Sequence, residues 1–224
     1  MFINKIGYDH VISGLNNQDA GCENVNIKFV ADGCGSTAHP EVGANLAAMY
    51  YKNLCNDEHL TTMIRWFNIP ETLWQGDQNK IEKILVDYYL FTTIVKYETL
   101  ETFEIEHVGD GFIITLDHEN KLNYINLDEG PAPTYFAYQF FDPSHLLLPV
   151  TVEIKRLAFS KEDFKAIGVA TDGLRFIYEL KSRELFDEFE NILKHCIETN
   201  NDLRLRLFIN KHLETFKDDI TIAI

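Results

Sequence analysis

Three times in this chain an apolar run stops at an aspartate that is followed at once by glycine. The stretches are Phe29-Val30-Ala31-Asp32-Gly33, Val108-Gly109-Asp110-Gly111 and Val169-Ala170-Thr171-Asp172-Gly173. A fourth aspartate, Asp218, stands just before the closing apolar run Ile220 to Ile224. Any one of these alone reads as a strand that ends in an Asp-Gly turn. Several together constrain the fold, because a carboxylate at the end of a buried strand is costly unless it is paired or binds a metal.

The elements between these points alternate in kind. Residues 1–14 are mixed, with Ile3, Ile6, Tyr8, Val11 and Ile12 as strand positions, and Asn16 to Ala20 is polar and turn-like. Val25 to Ala31 reads as a strand. His39-Pro40-Glu41 opens a helix, since proline and an acid suit a first turn. Val42, Leu46, Met49, Tyr50 and Leu54 follow at helical spacing. Further helices are expected over about 57–67 and 78–89.

From Phe91 the character shifts to β-branched and aromatic residues, which predict strands over 91–97, 102–108, 112–116 and 122–127. Residues 128–150 hold four of the six prolines and read as a structured loop or small insertion. Strands at 150–159 and 166–170, helices from Ser182 and over 201–213, and a last strand at 220–224 complete the chain. Strands, helices, a block of hairpins, helices and a final strand make an α+β pattern. The 224 residues and their 46% hydrophobic content suit one globular domain spanning 1–224.

Charge narrows the function classes. The formal net charge is −15, so the basic footprint of a nucleic-acid binder is missing, and an anionic membrane surface is an equally poor partner. No apolar stretch of about 18 residues is present to span a bilayer, and the N-terminal segment lacks the apolar run of a signal peptide. The four cysteines, Cys22, Cys34, Cys55 and Cys196, have neither metal-binding nor redox spacing. A reduced, cytoplasmic setting is expected.

If the strand ends converge, Asp32, Asp110, Asp172 and Asp218 make an all-oxygen site, with Asp19 as a fifth carboxylate. Hard oxygen ligands select Mg²⁺ or Mn²⁺ over zinc. Two such ions about 4 Å apart can activate a bridging water and clamp a phosphoryl group.

These residues carry a resemblance. Asn17-Gln18-Asp19, Val30-Ala31-Asp32-Gly33-Cys34-Gly35, Val108-Gly109-Asp110-Gly111, Ala170-Thr171-Asp172-Gly173-Leu174 and Asp218-Asp219-Ile220-Thr221 resemble, in order and spacing, the motifs of the metal-dependent PP2C (PPM) serine/threonine phosphatases, in the compact bacterial form. The resemblance implies a four-layer α/β/β/α sandwich, with two central antiparallel sheets flanked by helices. It implies hydrolysis of phosphoserine and phosphothreonine in proteins by a water bridging two Mg²⁺ or Mn²⁺ ions, without a phosphoenzyme.

Carried over by motif, Asp32 bridges both metals and Gly33 offers its carbonyl. Asp172 and Asp218 complete the second set of ligands. Asp110 with Asp172 matches the place of a third, looser metal. Asp19 stands in or just behind the metal shell, and Asp32 and Asp19 are the implied catalytic carboxylates. A phosphorylated protein is the implied substrate and a cognate Ser/Thr kinase the implied partner.

Four positions depart from that pattern. Gln18 stands where the family often has a glutamate that contacts a metal, which makes it a weak, uncharged ligand. Gly14 stands where many relatives hold substrate phosphate with arginine, and Arg175 is the candidate replacement. Asp219 replaces the usual asparagine. Cys34 follows the metal-binding glycine where eukaryotic members carry histidine, and reads as a small buried filler. Gln18 and Gly14 motivate an alternative, a catalytically weak or inactive PP2C-like pseudophosphatase acting as a regulatory binding module.

Overall fold

The fold was analysed from a computed structural model that describes residues 1–53, 59–67, 77–128, 130, 133–141, 152–180 and 182–224. Among the described residues, ten strands form two antiparallel five-stranded sheets. The first sheet has the order β1-β10-β9-β6-β7, from β1 (Phe2–Lys5), β10 (Ile220–Ala223), β9 (Phe164–Ala170), β6 (Phe112–Asp117) and β7 (Leu122–Asn126). The second has the order β2-β3-β4-β5-β8, from β2 (Asp19–Glu23), β3 (Ile27–Gly33), β4 (Phe91–Glu98), β5 (Thr102–Val108) and β8 (Lys155–Ser160).

The sheets stack face to face over Val30, Ile94, Ile105, Ile113, Ile167 and Val169, all buried. That shared layer explains why β4 and β6 read as nearly unbroken apolar runs rather than as alternation: both of their faces are covered. The outer face of the second sheet carries α2 (Pro40–Lys52) and α3 (Leu60–Trp66), and α4 (Gln78–Tyr88) packs beside α2. The outer face of the first sheet carries α5 (Arg175–Tyr178), α6 (Arg183–Thr199) and α7 (Leu203–Lys211). This is the expected helix–sheet–sheet–helix sandwich.

Several local readings need correction. Tyr8, Val11 and Ile12 are not in a strand: Tyr8–Ser13 is a helix, α1, closed by Gly14 at φ +70°. Gly14 supplies the left-handed C-cap that lets the chain turn into β2. Asp19 and Ala20 open β2 rather than belonging to a turn. In α2 the buried face is Gly43, Ala44, Ala47, Ala48, Tyr50 and Tyr51, whereas Met49 is exposed. Small residues win that face because the helix lies close to its neighbours; a Cβ on Gly43 would stand 2.5 Å from the Tyr88 carbonyl oxygen. The strand placed at 150–159 begins only at Lys155. Leu54, the start of the helix placed at 57–67, Cys55 and most of the loop 128–150 lie outside the described residues.

Candidate metal centre

Five strand ends meet at one edge of the sandwich. Asp32 closes β3, and its antiparallel partner across β2 is Asp19. On the other side Asp32 pairs with Thr92 of β4. Asp110 sits between β5 and β6, in a turn whose glycines, Gly109 and Gly111, have φ of +83° and +127°. A Cβ on Gly111 would press on the Ala170 carbonyl oxygen at 2.7 Å, so this turn draws Asp110 toward the end of β9. Asp172 follows β9, and Asp218 precedes β10.

A hydrogen-bond frame fixes Asp19. Thr221 N donates to Thr171 Oγ1 at 2.9 Å, and that hydroxyl donates to Asp19 Oδ2 at 2.6 Å. Asp19 N donates to Asn17 Oδ1 at 3.0 Å, and Asn4 Nδ2 donates to the Asp19 carbonyl at 3.1 Å. Only 3% of Asp19 is exposed. Gln18 is buried too, and its Oε1 lies 3.0 Å from where a Cβ on Gly35 would stand. A side chain at Gly35 would therefore meet the Gln18 amide. The Gly33 N–H donates to the Gln18 carbonyl at 3.2 Å, which ties the Asp32-Gly33 turn to the residue before Asp19.

The electrostatics show a cluster of carboxylates that is only partly compensated. Burial raises the pKa of Asp19 well above the carboxylate range, and Asp219, Asp172 and Asp218 push it the same way while the Thr171 hydrogen bond opposes. Burial also raises Asp32, helped by Asp19, Asp172, Asp218 and Asp110. Asp172 is pushed up to about 6, first by burial, then by Asp110 and Asp218. Asp218 is raised by burial, against a hydrogen bond from Asp219 N and the field of His10. Carboxylates that repel one another in this way fit divalent cations, whose charge would remove the repulsion. The donor set is all oxygen, which suits Mg²⁺ or Mn²⁺.

Arg175 lies one turn beyond Asp172, and its charge lowers the Asp172 pKa. Its Nη2 donates to Asp128 Oδ2 at 3.2 Å, and its Nε is 3.9 Å from Glu179 Oε1. Cys34 is partly exposed rather than a buried filler, with Sγ 3.2 Å from Ser36 Oγ.

Sequence singled out Asp219 as a departure but gave it no role, and it missed His10. Asp219 is buried, and its carboxylate accepts from Gly7 N at 2.7 Å and from Gln18 N at 2.5 Å. His10 of α1 places Nδ1 3.0 Å from Asp219 Oδ1 and Nε2 3.8 Å from Asp218 Oδ1. Asp219 thus clamps the chain on either side of α1 to the start of β10. His10 gave no signal, because its helix is short and lies far in sequence from Asp218.

Comparison with known proteins gives this geometry a lineage. The family described as Protein phosphatase 2C matches residues 6–216. The chain belongs to the protein phosphatase 2C family. Phosphatases of this family are metal-dependent enzymes that act on phosphoserine and phosphothreonine, and that is the enzyme class of this chain. Solved phosphatases share the fold. A bacterial serine phosphatase is 16% identical, with a TM-score of 0.63 over 99% of this chain and 94% of its own. Stp1 from Staphylococcus aureus is 16% identical, with a TM-score of 0.62 over 99% and 92%. The catalytic domain of PstP, in complex with 2 manganese ions, is 16% identical, with a TM-score of 0.60 over 99% and 94%. No curated protein matches the chain. Among the described residues no helix is long and apolar enough to cross a membrane.

Proposed function

We propose that this phosphatase, taken as one domain over 1–224, hydrolyses phosphoserine and phosphothreonine in proteins with a pair of divalent cations at the strand-end cluster. The observation that carries the reading is the mutual repulsion of Asp19, Asp32, Asp110, Asp172 and Asp218 at one edge of the sandwich. Asp32, whose pKa is raised by Asp19, Asp172, Asp218 and Asp110, would be the shared ligand, and the Gly33 carbonyl would add a further oxygen. Asp172 and Asp218 complete the second position. Asp110 with Asp172 offers a third, weaker one. Asp19, pinned by Thr171, backs the site, and Gln18 supplies an uncharged oxygen at most. Mg²⁺ or Mn²⁺ bound there supplies charge for the phosphoryl oxygens and acidifies a water.

The chain's own residues do the positioning. Thr171 holds Asp19 in one rotamer, and Asp219 fixes the backbone of Gln18. Burial and mutual repulsion raise the pKa of these carboxylates, so a cation bound there would favour their ionised form and metal uptake would release protons where they are still protonated. Arg175, whose charge lowers the Asp172 pKa, is the residue placed to hold substrate phosphate. Gly14, held at positive φ, leaves the other expected place without a side chain. A phosphorylated protein is the substrate, and a Ser/Thr kinase acting on that protein is the natural counterpart. A PstP relative crystallised with 2 manganese ions supports a paired-ion site here.

The test is turnover of p-nitrophenyl phosphate and of a phosphothreonine peptide, with Mn²⁺ and with EDTA. Mn²⁺-dependent hydrolysis that Asp32→Ala abolishes is expected. Pure protein with no Mn²⁺-dependent turnover above that variant would overturn the enzyme reading in favour of the pseudophosphatase.

A further inference from the structure

No residue of α1 is buried, and three large apolar side chains on it or just beyond it face solvent. Val11 is 48% exposed, Ile12 66% and Leu15 50%. A single exposed leucine needs no explanation, but three such residues within one short stretch make a patch.

Local structure does not demand them. At the end of α1 the Gly14 N–H donates to the Val11 carbonyl at 3.4 Å, and the Leu15 N–H to the His10 carbonyl at 3.0 Å. After such a cap an apolar residue in the place of Leu15 commonly packs back on its helix. Here half of it stays in water. Apart from its own helix and chain neighbours, no atom lies within 4 Å of where a Cβ on Gly14 would stand, so the space beside the patch is open. The helix is held from its other side. Tyr8 N and Asp9 N donate to the Phe216 and Lys217 carbonyls at 2.8 Å and 3.0 Å, and His10 turns inward to Asp219 and Asp218. Polar residues at 11, 12 and 15 would satisfy this frame equally.

What sets the patch apart is its place. The segment that carries it is fastened to the candidate metal centre at both ends, since Gly7 N and Gln18 N donate to the two oxygens of Asp219. The side chain of Asp218 is half-exposed, so the centre opens to solvent beside α1. A protein whose phosphate reaches the aspartates brings the residues around that phosphate within reach of the patch.

We propose that Val11, Ile12 and Leu15 dock the phosphoprotein substrate and select a segment with an apolar residue close to the phosphoresidue. This rests on the phosphatase reading and narrows its substrate class. In a chain of net charge −15 the general field repels a phosphopeptide, so a short-range apolar contact supplies affinity that charge does not.

The test uses phosphothreonine peptides of equal charge, with leucine or serine at each position up to about four residues to either side, roughly 13 Å of extended chain. In Mn²⁺, leucine at one or two positions is expected to raise kcat/KM about tenfold, chiefly through KM. Ile12→Gln/Leu15→Gln should remove that preference and leave turnover of p-nitrophenyl phosphate unchanged. The single variants carry the same comparison if the double variant does not fold. Hydrolysis indifferent to leucine, or a preference that survives the variants, overturns the proposal. So does an equal fall with p-nitrophenyl phosphate, since the residues then serve only the fold. A wild type that sediments as a dimer and a variant that sediments as a monomer would give the patch to a second copy of the chain, which also overturns it. If no substrate is turned over, the phosphatase reading fails by itself, and fluorescence anisotropy of the same peptides still decides. Leucine-dependent binding that the variants lose upholds the docking patch, and its absence overturns it.

Discussion

The hydroxyl of Thr171 reaches across from one sheet to the other and donates to Asp19 Oδ2 at 2.6 Å. Asp19 belongs to the second sheet, and Thr171 follows β9 of the first. The same oxygen accepts from Thr221 N, so one side chain couples β2, β9 and β10 at the candidate metal centre. Thr171→Val would leave a buried carboxylate oxygen and a buried amide without partners. A loss of about 2–4 kcal/mol in urea unfolding is expected, with weaker Mn²⁺ binding. Thr171→Ser should restore most of both. Equal losses in the two variants would mean that the methyl group, not the hydroxyl, matters.

Asp219 makes a second such connection, and its effects should be graded. Asp219→Ala removes the acceptor for both Gly7 N and Gln18 N, and roughly 3 kcal/mol of stability is expected to go with it. Asp219→Asn keeps one acceptor oxygen but sets its NH₂ against the second amide, and should lose about half as much or more, short of the alanine loss. Thermal unfolding of the two variants beside the wild type checks the order. An alanine variant as stable as the wild type would show that the clamp is idle.

The pH dependence of metal binding has a definite sign. Asp172 is raised from 3.8 to about 6, chiefly by burial, so the folded chain holds that proton more tightly than the unfolded chain does. Its contribution to stability is full below about 3.8, declines as pH rises to about 6, and stays lost above that. Asp19, Asp32 and Asp218 are shifted in the same direction. A cation bound at the cluster removes the repulsion, so the rise in Tm on adding Mn²⁺ should be larger at about pH 7.5 than at about pH 5.5. An increment that is equal, or larger in acid, would contradict the assignment of these carboxylates as ligands.

Arg175 and Asp128 separate a phosphate contact from a surface ion pair. If Arg175 holds substrate phosphate, Arg175→Gln should raise KM for a phosphothreonine peptide about fivefold or more, with a smaller change in kcat. Asp128→Asn, which releases the arginine from its 3.2 Å partner, should not raise KM. Parallel rises in the two variants would show that the pair merely orders the loop.

What the sequence made legible was local. Asp32, Asp110 and Asp172 each announce themselves within a few residues, because an apolar strand running into Asp-Gly is a short-range pattern. The strands from Phe91 to Asn126 were legible for the same reason: β-branched and aromatic residues fill them. The frame around Asp19 was not, since Asp19 and Thr171 are 152 positions apart and meet only through the fold. The helix α1 was hidden because Tyr8, Val11 and Ile12 suit a strand equally well, and only the left-handed Gly14 settles where the turn goes. The face of α2 misled by size. Met49 looked like core, but the close approach of the helix leaves room only for glycine and alanine beside Tyr50 and Tyr51.

The central claim is that Asp32 is a shared ligand of a divalent-cation pair. Anomalous scattering from crystals soaked in Mn²⁺ tests this most directly. The account predicts two peaks flanking the Asp32 carboxylate, with Asp172 and Asp218 around one of them, and loss of the paired peaks in Asp32→Ala. A map with no peak beside Asp32, or with manganese held only by His10, Asp218 and Asp219, would contradict it.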